Sequence, residues 1–119
     1  MLSLNGPYRF YLRRDYTDLR KGFDSLSGIV RNELNRNPLS GDIFIFFNRR
    51  LNQVKLLHWE GDGFAVYFKR LELGTYELPE LNSNNHIELN NDSLMFILKG
   101  ISLRSIKRRK RFEMLKNTG

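Results

Sequence analysis

The chain has 119 residues, 40% of them hydrophobic and 13% aromatic, which is enough for one domain with a modest core and too globular for wholesale disorder. It contains no cysteine, which excludes disulfides, thiolate catalysis and cysteine zinc sites and fits a reducing compartment. The net charge of +7 is unevenly spread: residues 1–70 hold 12 Lys/Arg against 7 Asp/Glu, residues 71–103 one lysine against five acids, and residues 104–119 seven bases against one acid.

A basic body and a strongly basic tail, joined by an acidic segment, point to a polyanionic partner, of which nucleic acid is the commonest. No apolar run approaches the ~18 residues needed to span a bilayer. The N-terminus lacks the basic and apolar regions of a signal peptide, so the expectation is a cytoplasmic protein with no membrane association.

In chain order, residues 8–12 (YRFYL) alternate and are β-prone, after the turn-like Asn5, Gly6 and Pro7. An edge strand is the expectation, with Arg9 and Arg13 guarding it against open pairing. Asp15, Thr17 and Asp18 supply N-cap chemistry. From residue 18 to 34, Leu19, Phe23, Leu26, Val30 and Leu34 fall on one stripe, with Ile29 beside them and Arg20, Asp24, Ser27 and Arg31 on another face. This predicts a long amphipathic helix, ended by Pro38.

Three short apolar runs follow: 42–48 (DIFIFFN), 53–60 (QVKLLHWE) and 64–71 (FAVYFKRL). Compact turn signals separate them, Arg49 to Asn52 and then Gly61 to Gly63, which predicts an antiparallel meander. A further strand is expected at 86–89 (HIEL). A shorter C-terminal helix follows, capped by Asn91 or Asp92 and carrying Leu94, Ile97, Leu98 and Ile101. The fold expected is therefore α+β: an antiparallel meander sheet with one long amphipathic helix packed on it and a shorter C-terminal helix. Residues 1–103 form a single domain and 104–119 a basic tail.

For chemistry, His58 and Glu60 share a strand face, and His86 and Glu88 form a second small set. Two histidines without a ligand spacing argue against a metal or another cofactor, and no nucleophile–base pair or phosphate loop is present. A non-catalytic protein is the expectation. Binding is better supported. Arg20 and Lys21 lie near a helix start, Arg49 and Arg50 at a hairpin tip, Lys55 on a strand, and Lys69 and Arg70 near a strand end. Arg104, Lys107, Arg108, Arg109, Lys110 and Arg111 follow in the tail. Guanidinium forks pair with phosphate or carboxylate, and Trp59, Tyr67 and Tyr76 stack on bases wherever they are exposed. The competing reading is an aromatic core with a solvated charged rim.

The segments DLRKGFDSL (18–26), VRNEL (30–34), PLSG (38–41), NRR (48–50), KLLHW (55–59), GF (63–64) and YFKRLE (67–72) resemble the TnpB-type (Orf2) accessory proteins of IS-sixty-six-family bacterial insertion sequences. The resemblance runs from Tyr16 to Pro79, in order and with compatible spacing. Leu19 stands where methionine is usual, Gly22 where serine is usual and Phe68 where a second tyrosine is common. It implies an accessory role in transposition beside a separate transposase that carries the catalytic acids. The expected partners are DNA and the transposase of the same element. The alternatives are a protein-interaction adaptor without DNA contact and a metal-dependent nuclease using His58 and Glu60.

Overall fold

The computed structural model describes residues 7–78 and 86–99. In chain order the elements are β1 (Phe10–Arg13), α1 (Phe23–Asn32), β2 (Ile43–Phe47), β3 (Gln53–Trp59), β4 (Phe64–Arg70), β5 (His86–Leu89) and α2 (Asn91–Leu98). The strands form one sheet in the order β4-β3-β2-β1-β5. The expected meander is present as β2-β3-β4, paired antiparallel, but the sheet as a whole is mixed. Strand β1 runs parallel to β2, Phe10 beside Ile43 and Leu12 beside Ile45, and β5 closes on β1 antiparallel. The expectation of β1 at an edge is therefore corrected. Parallel neighbours need a crossover, and α1 supplies it. With strands on both sides, Phe10, Tyr11 and Leu12 are buried.

The uneven alternation of the apolar runs has the same origin. All five residues of β2 are buried because both sheet faces are covered. On one face Tyr11, Phe44, Phe46 and Leu57 pack with Leu19, Leu26, Val30 and Leu34 from α1 and its flanks. On the other, Phe10, Leu12, Ile43, Ile45, Phe47, Val54 and Leu56 pack with Leu94, Ile97 and Leu98 of α2 and with Tyr76.

Helix α1 is shorter than the 18–34 stripe predicts. Residues 17–21 form a turn instead: the Thr17 N–H donates to the Phe47 carbonyl (2.8 Å) and the Lys21 N–H to the Asp18 carbonyl (3.2 Å). The Asp18 carboxylate accepts from the Arg20 N–H (3.0 Å), so its oxygens serve a local turn and Gly22 becomes the N-cap. At the far end the chain leaves through Asn35 in the left-handed conformation (φ 54°), three residues before Pro38. Helix α2 is capped by Asn90, whose side chain accepts from the Ser93 N–H (2.8 Å), one position before the expected Asn91. Ile101 lies outside the described residues.

Candidate nucleic-acid interface

Because β1 and β2 are parallel and β3 returns antiparallel, one end of the sheet gathers the ends of β1, β2 and β4 and the start of β3. Three contacts draw basic residues to it. The Thr17–Phe47 bond lays residues 17–21 across the end of β2, bringing Arg20 and Lys21 there. Lys55 Nζ donates to the Lys21 carbonyl (3.1 Å) and sits 5.1 Å from the centroid of the Phe68 ring. The β3–β4 register places Arg70 opposite Gln53, so β4 ends beside the turn that carries Arg49 and Arg50. Arg49, Arg50, Lys69 and Arg70 are all exposed.

The Arg49–Arg50 turn is held from within. Asn48 Oδ1 accepts from the N–H groups of Asn52 and Gln53 (both 3.0 Å), and Asn48 Nδ2 donates to Asn52 Oδ1 (2.6 Å). Leu51, left-handed at φ 55°, packs against the α2-side core, and its carbonyl accepts from the Tyr76 N–H (2.6 Å). Ordering this turn before a ligand arrives lowers the entropy that binding must overcome.

The sequence-predicted cations are not equivalent. Arg20 is held by Asp18 through both carboxylate oxygens (Nε–Oδ1 3.0 Å, Nη2–Oδ2 2.8 Å). Hydrogen bonding from the Arg20 side chain holds the Asp18 carboxyl well below the usual carboxylate range. A phosphate at Arg20 has to compete with that carboxylate. Arg70 is only loosely paired with Glu72 (3.4 Å). Among the described residues Arg49, Arg50 and Lys69 make no ion pair. As neighbours on a strand, Lys69 and Arg70 leave on opposite faces, Lys69 on the α2 side and Arg70 on the α1 side. They flank the tip from two directions. Arg14, exposed immediately after β1, belongs to the same end and was missed by sequence reasoning. The signal that finds it is topological: in a strand–helix–strand unit, the residue leaving the first strand lies at the carboxyl end of the second, where open sheets place their binding loops. Arg104, Lys107, Arg108, Arg109, Lys110 and Arg111 lie outside the described residues.

The aromatic candidates fall on the side of the core rather than of an open stacking surface. Tyr76 is core, packed edge-on against Phe47, and burial pushes its phenol well above the usual range. Trp59 and Tyr67 are half-buried. The rings open to solvent include Phe68, 52% exposed, and Phe23, 46% exposed and stacked on Phe64. His58 is 6% exposed, with the Tyr8 ring edge-on at 4.9 Å, while Glu60 is exposed in the β3–β4 turn. Among the described residues no group of three His, Cys, Asp or Glu side chains is placed to hold a metal. No helix among them is long and apolar enough to cross a membrane. The opposite end of the sheet is acidic, with Asp42 before β2 and Glu60 and Asp62 between β3 and β4.

These features fit a small insertion-sequence accessory protein, and comparison with known families agrees. The family model described as IS66 Orf2 like protein matches residues 8–108, and the chain belongs to that family. The match extends beyond residues 16–79, taking in β1, α2 and the start of the basic run. Two Sinorhizobium fredii proteins are similar: Uncharacterized protein y4hO, 32% identical over 87% of this chain and 90% of its own, and Uncharacterized protein y4jC, 26% identical over 92% of each. No solved structure matches. Membership makes this an insertion-sequence-associated accessory protein.

Proposed function

We propose that this protein assists transposition without catalysing it, by holding DNA of its insertion sequence on the basic end of the sheet. The observation that carries this reading is the gathering of Arg14, Arg49, Arg50, Lys55 and Arg70, distant in sequence, at the end where β1, β2 and β4 finish. Arg49 and Arg50 on their braced turn make the leading phosphate contacts. Lys69, Arg70, Lys21 and Lys55 flank them, and Arg20 contributes once Asp18 is displaced. The basic run at 104–111 adds affinity independent of sequence.

The test is a fluorescence anisotropy titration of element-end DNA at two salt concentrations. Each phosphate contact contributes close to one unit to the slope of log affinity against log salt, so Arg49→Ala with Arg50→Ala should reduce that slope by about two. Failure to bind at low salt removes the DNA reading. A second reading, docking on an acidic surface of the transposase, draws on Phe68, which lies beside Lys55 and near Arg70. Aromatic and arginine side chains in proximity are typical of protein hot spots. Co-purification of the two proteins after nuclease treatment supports it. Loss of the complex with the nucleic acid counts against it.

A further inference from the structure

Strand β4 is one edge of the sheet, and nothing among the described residues pairs with its outer side. Its backbone orientation follows from two hydrogen bonds at the ends of the β3–β4 hairpin. The Glu60 N–H donates to the Gly63 carbonyl (2.9 Å), and the Leu71 N–H to the Asn52 carbonyl (2.7 Å). In an antiparallel ladder, bonded pairs alternate with unbonded ones. Residues 63, 65, 67, 69 and 71 therefore turn their N–H and C=O groups toward β3, while Phe64, Val66, Phe68 and Arg70 turn theirs outward. The side chains of these same four residues lie on the α1 side, opposite Trp59, Leu57, Lys55 and Gln53. A seven-residue edge whose outward backbone groups have no partner among the described residues, and whose Phe68 ring is open, is what monomeric proteins avoid leaving exposed.

The strand is also polar along its length. Glu60 and Asp62 precede it, and Lys69 and Arg70 end it. A second β4 added in parallel sets like charges together; added antiparallel, it sets acid against base. We infer that β4 pairs antiparallel with β4 of a second copy of this chain, across a two-fold axis at Val66, to form a continuous ten-stranded sheet.

The register is chosen by the residues. Only pairings of outward-facing residues with one another complete the backbone bonds. Centring on Val66 sets Phe64 against Phe68 of the second copy and brings its Arg70 beside the turn that carries Asp62. Centring on Tyr67 sets Phe64 against Arg70 and Val66 against Phe68, which removes the aromatic pair on that face. Centring on Ala65 sets Phe64 against Val66, which also removes the aromatic pair, and carries Arg70 past the turn. The Val66 register alone matches aromatic with aromatic and acid with base, and the two-fold axis makes every favourable pair twice. The dimer carries its two basic ends at opposite ends of one sheet. The pairing itself does not depend on what those ends bind.

Light scattering at micromolar concentration should give twice the single-chain mass. The chain has no cysteine, so Val66→Cys places the only thiol on the two-fold axis. Mild oxidation should link most of the protein into a covalent dimer, whereas Asn91→Cys on the exposed start of α2 should stay unlinked. Asp62→Arg should weaken dimerisation roughly tenfold, since both symmetry-related pairs become repulsive. Adding Arg70→Asp to it should restore the affinity. The length of β4, roughly 20 Å, separates Asp62 from Arg70 within one chain, so the rescue requires two chains. Circular dichroism confirms that each variant is folded. A single-chain mass overturns the proposal, and so does a dimer that neither links through a thiol at position 66 nor responds to the charge reversal.

Discussion

Strands β2 and β4 are alike in sequence, IFIFF and FAVYF at their apolar cores, yet they differ in every contact that matters. Strand β2 has a strand on each side and a helix over each face, so all five of its residues are buried. Strand β4 has one neighbour among the described residues, lies outside the helical layers at its far end, and leaves Phe68, Lys69 and Arg70 exposed. An apolar strand stabilises the core in proportion to what covers it, and the same side chains at an edge remain open to a partner.

The largest expected effect separates the two directly. Phe44, fully buried and stacked 5.8 Å from Tyr11, should lose about 3–5 kcal/mol of stability on Phe44→Ala in urea denaturation. Phe68→Ala should cost less than ~1 kcal/mol at concentrations where the chain is monomeric. Equal losses would erase the distinction between core and edge strand. Next is the turn between β2 and β3. Asn48→Ala removes the hydrogen bonds that brace Arg49 and Arg50 and should cost about 1–2 kcal/mol, with weaker DNA binding in the anisotropy assay.

Smaller still is Tyr76, which packs edge-on against Phe47 with its hydroxyl buried and without a hydrogen-bond partner among the described residues. Tyr76→Phe should be neutral or stabilising by up to ~1 kcal/mol, because it removes a polar group desolvated without compensation. A clear destabilisation in thermal melts would mean that the hydroxyl has a partner.

The smallest effect concerns β5, the other edge. Arg36 stacks over Tyr11 (3.7 Å) and its Nε donates to His86 Nε2 (3.2 Å). Burial, and then the Arg36 charge, lower the His86 pKa below 6.5. A base with a depressed folded pKa binds fewer protons when folded than when unfolded. Its contribution is full above the unfolded pKa and is lost as pH falls through 6.5 toward the folded value. The melting temperature should therefore decline slightly between neutral pH and pH 5, and His86→Gln should flatten that decline. A solvent-accessible histidine limits the size of the change. An unchanged slope in the variant would assign the pH dependence elsewhere.

The meander was legible because short apolar runs bounded by Asn, Arg and Gly turns have few other ways to fold, and the observed strands lie within a residue of the expected ones. The strand at His86–Leu89 coincides with its expected range. Helix α1 started late because the Asp18 carboxylate bonded to Arg20, a competition between turn and cap that periodicity does not register. Arg49 and Arg50 were visible as a tip. Arg14 was not, because its position depends on a parallel pairing.

By itself the sequence determined the family, the α+β class, the approximate positions of the strands, the presence of a helix before and after the meander, and the excess of positive charge. Local propensity and turn chemistry act over a few residues, and a run of aligned motifs needs no contacts to be read. The tertiary structure decided what lies beside what. It placed β1 between β2 and β5, buried β2 on both faces, left β4 at an edge, and brought cations from four separate segments to one end. Those outcomes depend on long-range pairings, which are selected by the fit of two sheet faces to two helices rather than by any one segment.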